Sequence, residues 1–366
     1  MQGAQKKQNL KSVFVHLGGT IPEHLRLNLL RHLVLFPERR LTLIVDQDLD
    51  KLLPKEIEIY RYEVPKDDEE LLDRMELVSD FYFRSGFWKY TFLRLFALDD
   101  FHKTYPLVPI LHIESDVILM ENFPWEKFES LNKLAWLGVN NLCDVASLVF
   151  SPNSYETNFL ISEVRKIALN DPNTTDMYSL RQFVLKNPTR HIYLPSLTMQ
   201  NSRIPEKFDS IAMKQLKYFQ GYFDPSAIGM WNFGEDPKNR YGIRNRYYVD
   251  MSYDLDPSKS KYFYENGTLL DNDGLNLFSL HIHSKFLPLF GHKWQKAIAR
   301  EIDEARNNTK LVSFSFKAFL GAITDRKPKD NFWLLIANIP GINFFRRFAF
   351  IENAKEYIKK LLKIRM

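Results

Sequence analysis

The chain has one cysteine, Cys143, in 366 residues. A disulfide framework within the chain is therefore excluded, and a reducing compartment is expected. No apolar run reaches the ~18 residues of a membrane span, so no transmembrane helix is expected. The opening residues, MQGAQKKQNLKSVFVHLGG, hold no apolar stretch of signal-peptide length before the first strand-like run. A cytoplasmic chain is the resulting expectation. The N-x-T sequons at Asn173, Asn266 and Asn307 then read as chance. There is no GxGxxG dinucleotide fingerprint, no internal repeat and no low-complexity tract. The net charge of +5 is modest for this length and does not point to nucleic acid.

What is abundant is core material. The chain is 45% hydrophobic, with 29 Phe, 17 Tyr and 6 Trp. That composition belongs to a folded globular protein, long enough for more than one domain. Residues 12–17, SVFVHL, form a β-rich run that stops at Gly18-Gly19. Pro22 suits a helix start, and Leu25, Leu29, Leu33 and Phe36 recur at helical spacing until Pro37. Leu41–Val45 is a second apolar strand ending at Asp46. Strand, helix, strand in close succession predicts a βαβ unit.

Phe87–Leu98 reads as a helix with Asp99-Asp100 in its exit. Leu107–Ile113 has the apolar character of a central parallel strand, with Pro109 confining the paired part to the residues after it. Leu134–Val139 and Ser147–Phe150 are further strands, Asn153–Leu169 and Thr175–Leu185 helices, and Leu275–Ile282 a last strand. Residues 190–265 are loop-rich. The expected fold class is α/β, a Rossmann-type mostly parallel sheet flanked by helices. A boundary near residue 290 separates a domain of residues 1–290 from a C-terminal helical, basic and aromatic extension of residues 291–366.

Two pairs of polar residues stand out. Strand side chains alternate, so Glu114 and Asp116 in LHIESDVIL are expected on one face at a strand's carboxyl end. In open α/β sheets that is where ligands bind. Two carboxylates so close repel each other unless a cation or a shared proton intervenes, and oxygen ligands suit Mn²⁺ or Mg²⁺. The same residues also fit a solvated strand end. In LHIHSKF, His281 and His283 are again expected to share a strand face, as a metal ligand or as a hydrogen-bonded pair. Lys285 lies two residues further and suits a phosphate.

The stretch FWKYTFLRLFALDDF…LHIESDVIL resembles the glycosyltransferases of the GT-A fold, whose DxD motif ends a strand and follows a helix carrying a basic residue. Here the motif reads Glu114-Ser115-Asp116, with Glu in place of the first Asp. The resemblance implies a GT-A-like domain in which Asp116 is the principal metal ligand and Glu114 binds metal or ribose. Ser115 belongs to the same donor site, and Arg94 approaches the donor phosphate or sugar. HIHSK resembles a late element of that superfamily. On it His283 is taken as the metal ligand, His281 as its support, and Lys285 as a diphosphate contact. His16-Leu17-Gly18 after the first strand then becomes a nucleotide pocket, since glycine there lets a base approach the backbone. Asp46 either binds base or ribose or caps a turn.

Phe223–Gly242, FDPSAIGMWNFGEDPKNRYG, resembles an FDxxAIGxxxxGxDP segment of bacterial GT-A-like enzymes that also carry HIHSK. Its acids are Asp224 and Asp236. An inverting transferase needs a carboxylate base, for which Asp224 and then Asp176 are the candidates. Either acid also fits a structural turn or cap. The resemblance spans roughly residues 12–290.

The function expected is a metal-dependent glycosyltransferase. It moves a sugar from a nucleoside-diphosphate sugar to a hydroxyl of a glycan or glycolipid acceptor, with a cell-surface glycan as the product class. The alternatives are a metal-dependent phosphohydrolase and a catalytically inactive sugar-nucleotide-binding protein. Phe332–Phe345 with the basic residues after it either rests on the inner face of a membrane as a peripheral contact or packs on the core.

Overall fold

A computed structural model of the chain describes residues 10–48, 53–75, 86–139, 143–196, 214–229, 262–265, 268–271, 273–285 and 287–290. Asp236, the sequons at Asn266 and Asn307, and the extension 291–366 lie outside the described residues.

The larger sheet grows from the expected βαβ unit. β1 (Lys11–His16) leads through α1 (Glu23–Leu35) to β2 (Leu41–Val45), and β1 and β2 pair in parallel. β3 (Ile57–Arg61) joins β2 in parallel, and α2 (Lys66–Asp73) follows it. A long helix, α3 (Phe87–Thr104), then leads to β4 (Ile110–Ile113), which lies parallel to β1 on its other side. The pairing begins just after Pro109, which has no N–H to donate to the sheet. Next come β5 (Val117–Leu119), α4 (Trp125–Glu129), β6 (Leu134–Gly138) and β7 (Asp144–Ser151). α5 (Ser154–Asn170), α6 (Asp176–Lys186) and β8 (His191–Leu194) complete this half. The strand order is β3-β2-β1-β4-β7-β6-β8, with β7 running against both its neighbours and the other pairs parallel.

Alternation along these strands builds two cores. Phe14, Leu43, Leu111 and Ile113 face the side of α1, while Val13, Val15, Ile44 and Ile110 face α3, α5 and α6. Helix α3 runs past Asp99-Asp100, the expected exit, to Thr104. Asp99 is tolerated there because its buried carboxylate meets Lys103, Asn158 and Arg165. No helix among the described residues is long and apolar enough to cross a membrane.

A second sheet covers the α1 side. β9 (Gly221–Phe223), β10 (Tyr262–Glu265), β11 (Thr268–Asp271) and β12 (Asn276–His281) join β5 in the order β10-β11-β12-β5, with β9 also paired to β12. β5 and β12 are antiparallel, with His281 opposite Val117. The chain thus leaves the first sheet at Ile113 and enters the second at Val117. Glu114-Ser115-Asp116 is the turn between the two sheets.

Candidate active site

The carboxylate pair lies just past β4, on the turn and not on the strand. The Glu114 N–H still donates to the Ser147 carbonyl at 2.9 Å, and the Val117 N–H closes the turn on the Glu114 carbonyl at 3.0 Å. The Ile282 N–H donates to the Asp116 carbonyl at 2.8 Å, so the turn is held from both sheets.

His281 is the imidazole that meets these acids. Its Nε2 lies 3.3 Å from Asp116 Oδ1 and 3.8 Å from Glu114 Oε2. One ligand atom from each of Glu114, Asp116 and His281 falls within 4.8 Å of the others. The expected shared strand face of His281 and His283 is corrected: β12 ends at His281, and alternation holds only inside a strand. The two rings stand 5.9 Å apart, centroid to centroid. Lys285 does reach the site, with Nζ 3.0 Å from Asp116 Oδ2. Its backbone sits at φ 55°, a left-handed conformation that is uncommon for a residue with a side chain.

Charge balance in this cluster is tight. Burial opposes ionisation of Asp116, but Lys285 and His281 outweigh it and hold the carboxyl well below its usual range. Burial likewise opposes charge on His281, but Asp116 and Glu114 outweigh it and raise the imidazole to about 9. Asp116 Oδ1 is buried and has no aligned hydrogen-bond donor. A hard cation suits such an oxygen, and two carboxylates with one imidazole make an acceptable donor set for Mn²⁺. The residues therefore fit a divalent metal.

Arg94 joins the site from helix α3. Its guanidinium hydrogen-bonds Glu114 Oε1 through Nη1 and Asp176 Oδ2, at 3.0 Å, through Nη2. Asp176 is the first residue of α6, behind Thr175, whose hydroxyl accepts the Tyr178 N–H as the helix cap. Burial raises the Asp176 carboxyl, opposed by Arg94 and reinforced by Glu114. The expectation that Arg94 reaches donor phosphate thus meets a guanidinium already spanning two acids.

Asp224 is fully buried and accepts four backbone N–H groups. Ser226 and Ile228 donate to Oδ1 at 3.0 and 2.9 Å, and Gly229 and His281 donate to Oδ2 at 2.9 and 3.1 Å. An ionised carboxylate offers about four lone-pair sites, and all are used. Gly229 is required here, because a Cβ on it would lie 1.7 Å from the His281 carbonyl oxygen. Asp224 thus joins the 224–229 turn to the backbone of His281.

At the carboxyl ends of β1 and β2, Asp46 Oδ2 accepts the Gly18 N–H at 2.9 Å, which is the turn-capping alternative. Gly18 sits at φ 75°, and a Cβ there would lie 2.3 Å from the Tyr90 ring. His16 Nε2 lies 3.1 Å from the Thr20 carbonyl, and burial lowers its pKa. Leu17 is buried. β1, β2 and β4 run parallel, so this loop and the carboxylate turn both follow strands at the same end of the sheet.

Sequence reasoning missed a set of polar residues on α1. His24, Asn28 and Arg31 lie on the buried side of the helix beside Leu25 and Leu29. Asn28 Nδ2 donates to the Ser115 carbonyl at 3.1 Å and to the Val117 carbonyl at 2.8 Å. Arg31 Nη2 donates to the Leu119 carbonyl, and His24 Nε2 lies 3.3 Å from the Ser115 hydroxyl. The available signal was their i, i+4, i+7 spacing within the same stripe as the leucines.

No protein-family model and no curated protein matches the chain. Among solved structures, it is similar to the "PaToxG Glycosyltransferase" at 9% identity, covering 58% of this chain and 78% of that one, with a TM-score of 0.32. It is also similar to a glycosyltransferase involved in the glycosylation of the major capsid of PBCV-1. There the identity is 14%, the coverage 50% of this chain and 81% of that one, and the TM-score 0.30. Similarities of that size leave any assignment to the site itself.

Proposed function

We propose that the chain is a metal-dependent glycosyltransferase that takes a sugar from a nucleoside-diphosphate sugar. The observation that carries the reading is the convergence of Glu114, Asp116 and His281, with the buried Asp116 Oδ1 facing the imidazole at 3.3 Å. The Glu-Ser-Asp and HIHSK resemblance supports it independently. Asp116, Glu114 and His281 would hold Mn²⁺ or Mg²⁺, with His283 beside them. When bound, the ion neutralises charge on the diphosphate and stabilises it as a leaving group. Lys285, flanking Asp116, adds a positive charge for the same group. The loop at His16, Leu17 and Gly18, pinned by Asp46, would receive the nucleoside, with Ser115 lining the route to the carboxylates.

In this reading an acceptor hydroxyl attacks the anomeric carbon, the bond to the diphosphate breaks, and the hydroxyl proton passes to a base. Asp224 has no lone pair left for that proton, so of the two acids Asp176 is the better base. Arg94 holds Asp176 and Glu114 in fixed relation. A lipid-linked glycan destined for the cell surface, extended at the inner face of the membrane, is the acceptor class we propose.

One observation favours a second reading, a sugar-nucleotide-binding protein without catalysis: Asp176 is tied to Arg94 and Asp224 to backbone. A phosphohydrolase is less favoured, because the described residues contain one three-ligand group and a two-metal site needs more. Incubation with a panel of nucleotide sugars and Mn²⁺ separates these readings. Release or transfer of sugar supports the transferase, and metal-dependent nucleotide binding without turnover supports the binder. Absence of nucleotide binding with or without metal contradicts both.

A further inference from the structure

We propose that Asn28, on α1, is a positioning residue that sets the carboxylate turn against His281; the metal part of this rests on the function proposed above. β5 has β12 along one edge. The ladder bonds there are made at Asp116, whose carbonyl accepts the Ile282 N–H, and at Met120, whose N–H donates to Phe278. Backbone groups alternate along a strand, so the carbonyls of Val117 and Leu119 face the opposite edge, and the Ser115 carbonyl in the preceding turn faces α1 beside them. Among the described strands none pairs there. Helix α1 supplies the donors in its place: Asn28 to Ser115 and Val117, and Arg31 to Leu119.

The two Asn28 bonds bracket Asp116. One side chain therefore fixes the backbone on both sides of the acid, while the β12 bond at Ile282 fixes its own carbonyl. Asn28 is itself buried, and its amide is held by the packing of Leu25 and Leu29 into the core. The height of α1 over the sheet is thereby transmitted to the spacing between Asp116 and His281. Arg31 ties the same strand three residues beyond Asp116 and does not bracket the acid.

The test compares Asn28→Leu with Arg31→Met in the full chain. Each removes edge donors from β5 and leaves an apolar side chain. Three quantities are measured: the urea midpoint, Mn²⁺ affinity by electron paramagnetic resonance with and without UDP, and the Asp116–His281 separation in a crystal structure. Asn28→Leu is expected to weaken Mn²⁺ at least ten-fold and to open the Asp116 Oδ1–His281 Nε2 separation. Arg31→Met is expected to change Mn²⁺ affinity less than three-fold at a comparable loss of midpoint. If both variants lower the midpoint while the separation stays as in the parent, Asn28 only stabilises the fold and the proposal is overturned. If the parent itself binds no Mn²⁺ but Asn28→Leu opens the separation, the positioning claim holds and the proposed function fails.

Discussion

Replacing Asp224 by Asn keeps the side chain's shape and changes what its atoms can accept. In the parent, each carboxylate oxygen takes two backbone N–H groups, those of Ser226 and Ile228 on one side and of Gly229 and His281 on the other. An amide keeps one acceptor oxygen, and its NH₂ faces two donors on the other side, whichever way it is turned. Two buried N–H groups lose their partner, at about 1–3 kcal/mol each. The expected loss is therefore about 2–6 kcal/mol, a large part of the ~5–15 kcal/mol that holds a typical protein folded. With a urea m-value of about 3 kcal/mol/M, a loss of about 4 kcal/mol lowers the midpoint by roughly 1.3 M. A general base with no structural duty behaves differently, since its amide loses turnover and keeps its stability. Urea unfolding followed by tryptophan fluorescence distinguishes the two. A midpoint for Asp224→Asn that matches the parent would refute the backbone-acceptor role.

Arg94→Met removes the cation between Glu114 and Asp176 and is expected to cost about 3–5 kcal/mol, the scale for breaking a buried ion pair. Part of that penalty should vanish as pH falls and the stranded acids take up protons, which unfolding at pH 7.5 and pH 5 will show. Gly229→Ala forces the turn away from the His281 carbonyl and should lower both the melting temperature and Mn²⁺ affinity; an unchanged melting temperature would contradict the close approach. His102 is held neutral by burial, with a pKa of about 4. Its contribution is complete above the unfolded value of ~6.5 and is lost as pH falls toward 4, by about 3 kcal/mol at 1.36 kcal/mol per pH unit. The deficit of His102→Asn relative to the parent should therefore shrink by that amount between pH 7 and pH 4 in denaturant titrations.

The first half of the fold was legible because its signals are local. Leu41–Val45 matches the strand to the residue, and Pro22 and Pro109 mark starts that the backbone respects. The run of α3 through Asp99-Asp100 was not legible, since what admits a buried acid there is Lys103, Asn158 and Arg165, two of them from another helix. β5 and β9 have three residues each and owe their existence to β12. The convergence of Glu114, Asp116, Lys285 and a histidine was readable from motif order. Which histidine meets the acids was not, because alternation fails once β12 ends at His281. The sequence leaves Asp224 open between a catalytic base and a turn acid, because its partners are backbone N–H groups, which sequence does not display. The polar residues of α1 lie in the stripe of the leucines, and the leucine periodicity alone does not reveal that His24, Asn28 and Arg31 are buried with them.

The central claim is that Asp116, Glu114 and His281 form a metal site serving a nucleotide diphosphate. Calorimetric titration of UDP, GDP and ADP into the full chain, with Mn²⁺ and then with chelator, tests it most directly, with Asp116→Asn as the paired variant. At least one nucleotide should bind ten-fold or more tightly with Mn²⁺ than with chelator, and Asp116→Asn should abolish that gain while remaining folded. No binding in either condition, or the same metal-dependent gain in folded Asp116→Asn, would contradict the account.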